Sequence, residues 1–202
     1  EKFTQAEASA RSLAEQKKTG KKPTPEELAE AAKATPASGD MQKDYGTVIG
    51  KFEKVAQEHS GTTAAALALA HLGRIHFEYG QYEKAESFLK RGADTVKKDV
   101  AVYGFIQTLL GDVLAATGKC PEAIPHWQNV LDSKKLAYFG PDLELKKGLC
   151  LESSGKLAEA ENVYKKLSLE QASTSAGRSA KKYLRLMELG KSTKAAVPTE
   201  SL

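Results

Sequence analysis

Leu72-Gly73-Arg74-Ile75-His76-Phe77-Glu78-Tyr79-Gly80-Gln81-Tyr82-Glu83-Lys84-Ala85 is the stretch on which the fold turns. Its two glycines stand seven residues apart, and Ala85 follows the second by five. The same spacing returns as Leu110-Gly111, Gly118 and Ala123, and again as Lys147-Gly148, Gly155 and Ala160, at periods of 38 and 37 residues. One turn after each alanine comes a large residue: Leu89, Trp127 and Tyr164. The following turn is small or aliphatic, at Gly92–Ala93, Val130–Leu131 and Leu167. A period of this length marks stacked units, none of which can bury its apolar face alone.

Each mark has a physical reason. A glycine inside a helix costs about 1 kcal/mol relative to alanine, so it is tolerable where a second helix must approach closely. The second glycine ends the first helix, because glycine takes the left-handed conformation with no Cβ penalty. The alanine lets the second helix pack tightly on the first, and the large residue is expected to fill the space where the pair splays. Together these marks predict helical hairpins of roughly 34 residues, with three or four further residues lengthening each link between hairpins. The units run over about 64–97, 102–135 and 139–172.

The flanks are less regular. Asp44 to His59 reads as one helix with Val48, Phe52 and Val55 on one face. Val48 precedes Ala85 by 37 residues, so this helix (44–59) sits in repeat phase as the second helix of a degenerate earlier unit. Pro25 to Lys33 fits its shorter partner: Thr24 suits the N-cap, Pro25 the first helical position, and Glu26 and Glu27 the positive helix end. Residues 1–40 as a whole read as a polar helical lead-in, partly flexible, and Thr35 to Asp40 as a loop. The repeat domain spans 41–190 and closes with an amphipathic capping helix, 174–189, carrying Ala180, Tyr183, Leu184 and Met187 on one side. Residues 191–202 are expected to form a disordered tail.

Composition agrees with an all-α chain. Of 202 residues 41% are hydrophobic but only 7% aromatic, a mix that favours close helix packing over a β-sandwich. Net charge is +4, from 30 basic and 26 acidic residues, with the basic excess read as spread in small pairs such as Lys17-Lys18 and Lys97-Lys98. No basic stripe interleaved with aromatics is found, so no nucleic acid is expected as a partner. No apolar run approaches the ~18 residues of a membrane span. The chain opens on Glu1 and not on Met, which leads to the expectation of a signal, an anchor or an expression boundary upstream.

No constellation supports catalysis, and the chain is expected not to be an enzyme. His71 and His76 are five apart, which turns them about 140° from each other on a helix, unlike metal-binding pairs. His126 reads as a surface neighbour of Trp127. No metal or cofactor is expected. Cys120 and Cys150 fit no zinc or redox motif. In repeat register Cys120 follows the turn of the second unit and Cys150 lies late in the first helix of the third. Neighbouring hairpins bring these regions close, so either a disulfide, if the protein works outside the cytoplasm, or two free thiols follows.

The pattern resembles the tetratricopeptide repeat family. The likeness is carried by Leu69, Leu72, Gly73, Gly80, Tyr82 and Ala85, by Leu110, Gly111, Gly118, Ala123 and Trp127, and by Gly148, Leu151, Gly155, Ala160 and Tyr164. It departs at Lys147, where the family has Leu, and at Gly92, where it has Ala. The resemblance implies an α-solenoid that holds a protein or peptide partner on the concave face formed by the first helix of each hairpin. By register the inward positions are Arg74, Phe77 and Glu78 in unit one, and Phe105, Thr108 and Asp112 in unit two. In unit three they are Asp142, Leu145, Leu149 and Glu152. They lack the Lys/Asn/Arg set with which some family members clamp a C-terminal carboxylate. The order of elements, from Glu58-His59-Ser60-Gly61 through the Ala64–Ala70 run into Gly80-Gln81-Tyr82-Glu83-Lys84-Ala85, is similar to bacterial envelope proteins of the YfgM-like group. That group includes the ancillary subunit of the SecYEG translocon. This likeness implies a periplasmic scaffold associated with protein secretion or chaperone complexes, touching the membrane only through an N-terminal anchor. The alternatives are an outer-membrane assembly or cell-division factor, a cytoplasmic adaptor, and the regulatory or substrate-platform part of an enzyme.

Overall fold

The structure, a computed structural model, describes residues 38–97 and 101–195, with side chains through Leu189. Residues 1–37 of the lead-in, including the short helix expected at Pro25 to Lys33, lie outside the described residues, as do residues 98–100 and 196–202. Eight α-helices and no strand occur among the described residues: α1 (Met41–Glu58), α2 (Thr63–Glu78), α3 (Tyr82–Ala93), α4 (Ala101–Ala116), α5 (Cys120–Leu131), α6 (Gly140–Ser153), α7 (Leu157–Glu170) and α8 (Ser175–Ala195). The pairs α2/α3, α4/α5 and α6/α7 are the three expected hairpins. α1 packs on α2 as the second helix of an incomplete earlier unit, and α8 packs on α7 and α6 as the cap.

The glycines act at two different places. Gly80, Gly118 and Gly155 end the first helix of each hairpin with φ of 71°, 77° and 76°. After each, the next amide reaches back five residues: Gln81 N donates to His76 O, Lys119 N to Leu114 O and Lys156 N to Leu151 O, at 2.8–2.9 Å. This is the helix stop that a left-handed C′ residue permits. Gly73, Gly111 and Gly148 lie mid-helix. A Cβ there would stand 2.7 Å from Leu89 Cδ2, 2.6 Å from Trp127 Cδ1 and 2.9 Å from Tyr164 Cδ1. The large residue of the repeat therefore does not fill a splayed gap, as expected from sequence. It seats directly on the glycine of its own hairpin, in the room that the missing side chain leaves. Leu89, Trp127 and Tyr164 are at most 1% exposed.

The core is serial. One buried cluster joins α1 to α2 through Tyr45, Val48, Ile49, Leu69, Leu72 and Ile75. Three more follow along the stack, centred on Leu89 with Ile106, on Trp127 with Leu143, and on Tyr164 with Ala180. Each hairpin buries its face against its neighbours only, the arrangement of a solenoid.

Two boundaries differ from the sequence reading. The last helix does not stop at 189 with a tail from 191, but continues to Ala195. Gly190 costs a helix only about 1 kcal/mol, and the first strong breaker in the sequence is Pro198. At the other end, α1 begins at Met41, because the Asp40 carboxylate accepts from Gln42 N and Lys43 N at 3.0 and 3.3 Å and so caps the helix. The extra residues of the long period fall in 94–100 and 132–139, and the second of these links winds into a 3-10 turn (Lys134–Phe139). Leu136 of that turn is buried over Gly104, where a Cβ would stand 3.0 Å from its Cδ1.

Candidate functional site

α2 runs along α4, but α4 and α6 hardly meet backbone to backbone. Where they diverge a cavity of about 400 Å³ opens, lined by Phe77, Asp112, Ala115, Cys120, Trp127, Lys146, Leu149, Cys150 and Ser153. Phe77 comes from the first hairpin, Asp112 from the second and Leu149 from the third, so three register-predicted positions meet in one place. Phe77 is half-buried and tilts on the Tyr82 ring at 5.9 Å. Leu149 is half-buried beside Leu145, both resting on the cluster under α7 and α8. Lys146 reaches across the gap and donates to both carboxylate oxygens of Asp112 at 2.7 Å. Ser153 Oγ donates to Cys150 O at 3.0 Å. The result is an apolar hole with one neutralised ion pair on its rim. It is a shape that takes an apolar side chain beside a polar backbone.

The remaining register positions lie outside that cavity, with the following contacts. Arg74 and Glu78 face each other on α2 at 3.6 Å. Phe105 packs 5.9 Å from His71, whose ring stacks on Phe52 at 5.0 Å with 11° between planes. Thr108 gives its carbonyl to Trp127 Nε1 at 3.3 Å. Glu152 accepts from the Tyr164 hydroxyl at 2.8 Å, and burial together with that bond raises the tyrosine pKa. Asp142 is exposed in the first turn of α6, where a negative charge suits the helix end. The unexpected Lys147 turns away from the cavity and donates to Gln128 at 2.9 Å.

His126 is not the surface neighbour expected. It is half-buried and shares a 2.7 Å hydrogen bond with Gln107 Oε1, tying α5 to α4. Burial, and then the nearby Lys90 cation, holds its pKa below the usual histidine value. Burial and Arg74 do the same to His71.

Cys120 and Cys150 form a disulfide in the wall of the cavity, with Cα atoms 5.2 Å apart. It joins the start of α5 to the end of α6 and so clasps the second hairpin to the third where their first helices part. Lys146 and Ser153 were missed by the sequence reading. Their signal is helical spacing: Lys146, Leu149 and Ser153 fall at i, i+3 and i+7 on one face of α6. Among the described residues no three His, Cys, Asp or Glu side chains gather as a metal site, and no helix is long and apolar enough to cross a membrane.

The model of the tetratricopeptide repeat-like domain family matches residues 4–190. No curated protein matches the chain. Among solved structures, nearly identical TPR-like repeats described as a kinesin light chain of Podosopora anserina align at a TM-score of 0.60 with 14% identity, covering 77% of this chain and 83% of that one. MamA aligns at 0.53 with 19% identity, covering 81% of this chain and all of that one. At these identities the likeness is one of fold.

Proposed function

Because the chain belongs to the tetratricopeptide repeat-like family, a protein-interaction scaffold fold, we propose that it seats an apolar side chain of a partner protein in the cavity between Phe77 and Leu149. The observation that carries this is the convergence of residues from three hairpins on one opening in the concave face. The Asp112–Lys146 pair then offers both charge signs to the partner's backbone and flanking residues, which fixes orientation more than affinity. An extended segment or one helix of the partner fits a groove of this kind.

The scaffold works, in this reading, outside the cytoplasm, in the bacterial envelope near protein secretion or chaperone complexes. The Cys120–Cys150 pairing supports an oxidising compartment, since cytosolic thiols are kept reduced. The likeness to the YfgM-like group supports the same place.

Two experiments test this. Leu149→Arg in the full-length protein places a charge in the cavity and should abolish capture of the partner that wild type retains after crosslinking in its own cells. Undiminished capture would overturn the groove assignment. Alkylation of the protein in intact cells should leave both cysteines unlabelled until a reductant is added, and two labelled thiols would overturn the compartment.

A further inference from the structure

The positive charge of this chain is not spread along it. α8 holds six basic residues against Glu188 alone, a net of +5, whereas the whole chain carries +4. The rest of the molecule is therefore close to neutral. Helix geometry sorts α8 into two faces. Ala176, Ala180, Tyr183, Leu184 and Met187 pack on the third hairpin. The opposite face, at the open end of the solenoid, presents Arg178, Lys181, Lys182 and Arg185, all exposed. Leu186 and Leu189 stand on the same outer side, 52% and 55% exposed. Arg178 donates to Ser173 O at 2.7 Å, but Lys181, Lys182 and Arg185 make no ion pair among the described residues. This is not an arrangement that helps the helix. Arg178 lies in the N-terminal part of α8, where the dipole favours the other sign, and Lys181-Lys182 and Arg185 repel one another.

We propose that the outer face of α8 docks on an anionic lipid surface. Cations flanking exposed leucines on one side of a helix are the make-up of an interfacial helix. The charges are drawn to acidic headgroups, and the leucines enter the acyl boundary. The face carries no exposed aromatic ring, since Tyr183 is stacked on Tyr164 at 5.5 Å, so stacking on nucleic-acid bases is not offered. Docking by α8 stands the solenoid on its C-terminal end and leaves the concave groove open, so the inference does not depend on the groove.

The test is co-sedimentation of the purified chain with vesicles of phosphatidylcholine alone or with about 30% phosphatidylglycerol. The expected result is at least ~tenfold more bound protein on the anionic vesicles, most of it lost at about 0.5 M salt. Lys181→Glu with Lys182→Glu and Arg185→Glu should abolish binding without lowering the melting temperature. Leu186→Ser with Leu189→Ser should weaken it at every salt concentration. Equal binding to both vesicles, or wild-type binding by the triple Glu variant, would overturn the proposal. So would no vesicle binding alongside capture of an acidic protein or of DNA by α8.

Discussion

The Trp127 indole occupies the volume in which a Gly111 side chain would stand, its Cε2 2.6 Å from the Cβ position. Trp127 is 1% exposed and its Nε1 is held by Thr108 O, so it has nowhere to retreat. Gly111→Ala is expected to cost about 1–3 kcal/mol by overpacking, despite the better helix propensity of alanine. Gly111→Leu should cost more. Trp127→Ala should cost about 3–5 kcal/mol, and Gly111→Ala added to Trp127→Leu should recover part of that loss. Chemical denaturation measures all four. An unchanged midpoint for Gly111→Leu would mean that the hairpin register is wrong.

Much of this was legible in the sequence for a plain reason. Glycine in mid-helix and glycine at a helix stop are both costly elsewhere, so their recurrence at one period names the contact each makes. The residue that uses the room was also visible at Leu89, Trp127 and Tyr164, though not where it would sit. The cavity was only half legible. Phe77, Asp112 and Leu149 follow from register, but their meeting depends on how far α4 and α6 diverge. The repeat pattern does not encode that distance, and the link of 132–139 between the second and third hairpins lies outside its regular marks. The concentration of charge on α8 could have been counted, and was obscured by the scattered lysine pairs before it.

The pair Asp112–Lys146 bridges two hairpins and is partly exposed, at 19% and 36% of its side chains. Lys146→Ala or Asp112→Asn is expected to change stability by no more than about 1 kcal/mol, because solvent screens the pair. A double-mutant cycle by denaturation measures the coupling. A coupling of several kcal/mol would make the pair a structural clasp and not a groove feature.

Acid should weaken the N-terminal junction. The Tyr79 hydroxyl and then the Ser38 amide hold the Asp44 carboxylate down at about 2, from an ordinary value near 3.8. A depressed carboxylate stabilises above its unfolded pKa, so this contribution is present above about pH 4 and is lost as pH falls towards 2. Tyr79→Phe should narrow the stability difference between pH 5 and pH 2. An identical acid limb in the variant would contradict the assignment.

The two half-buried histidines add a milder limb. His71 and His126 have depressed pKa values, so the folded state binds fewer protons than the unfolded state. Their contribution is complete above about pH 6.5 and declines as pH falls through their folded values. His126→Gln with His71→Gln should flatten the stability profile between pH 7 and pH 5, as read by urea midpoints. A profile that stays as steep would place the titration elsewhere.

Phe105 and Phe77 should now behave differently. Phe105 sits in the His71 stack, so Phe105→Ala is expected to lower the melting temperature with little direct effect on partner capture. Phe77→Ala should weaken capture; both rings are half-buried and pack on the same core cluster, so it is the loss of capture that tells the two apart. Reversed behaviour would move the site from the cavity towards α1.

The most direct measurement places a photocrosslinking residue in turn at Phe77, at Leu149 and at Leu169, which is 79% exposed on α7 outside the cavity. The full-length protein is irradiated in its own cells. Seating of the partner in the cavity predicts one shared protein adduct from Phe77 and Leu149 and none of it from Leu169. The same adduct from all three positions, or from Leu169 alone, would contradict it.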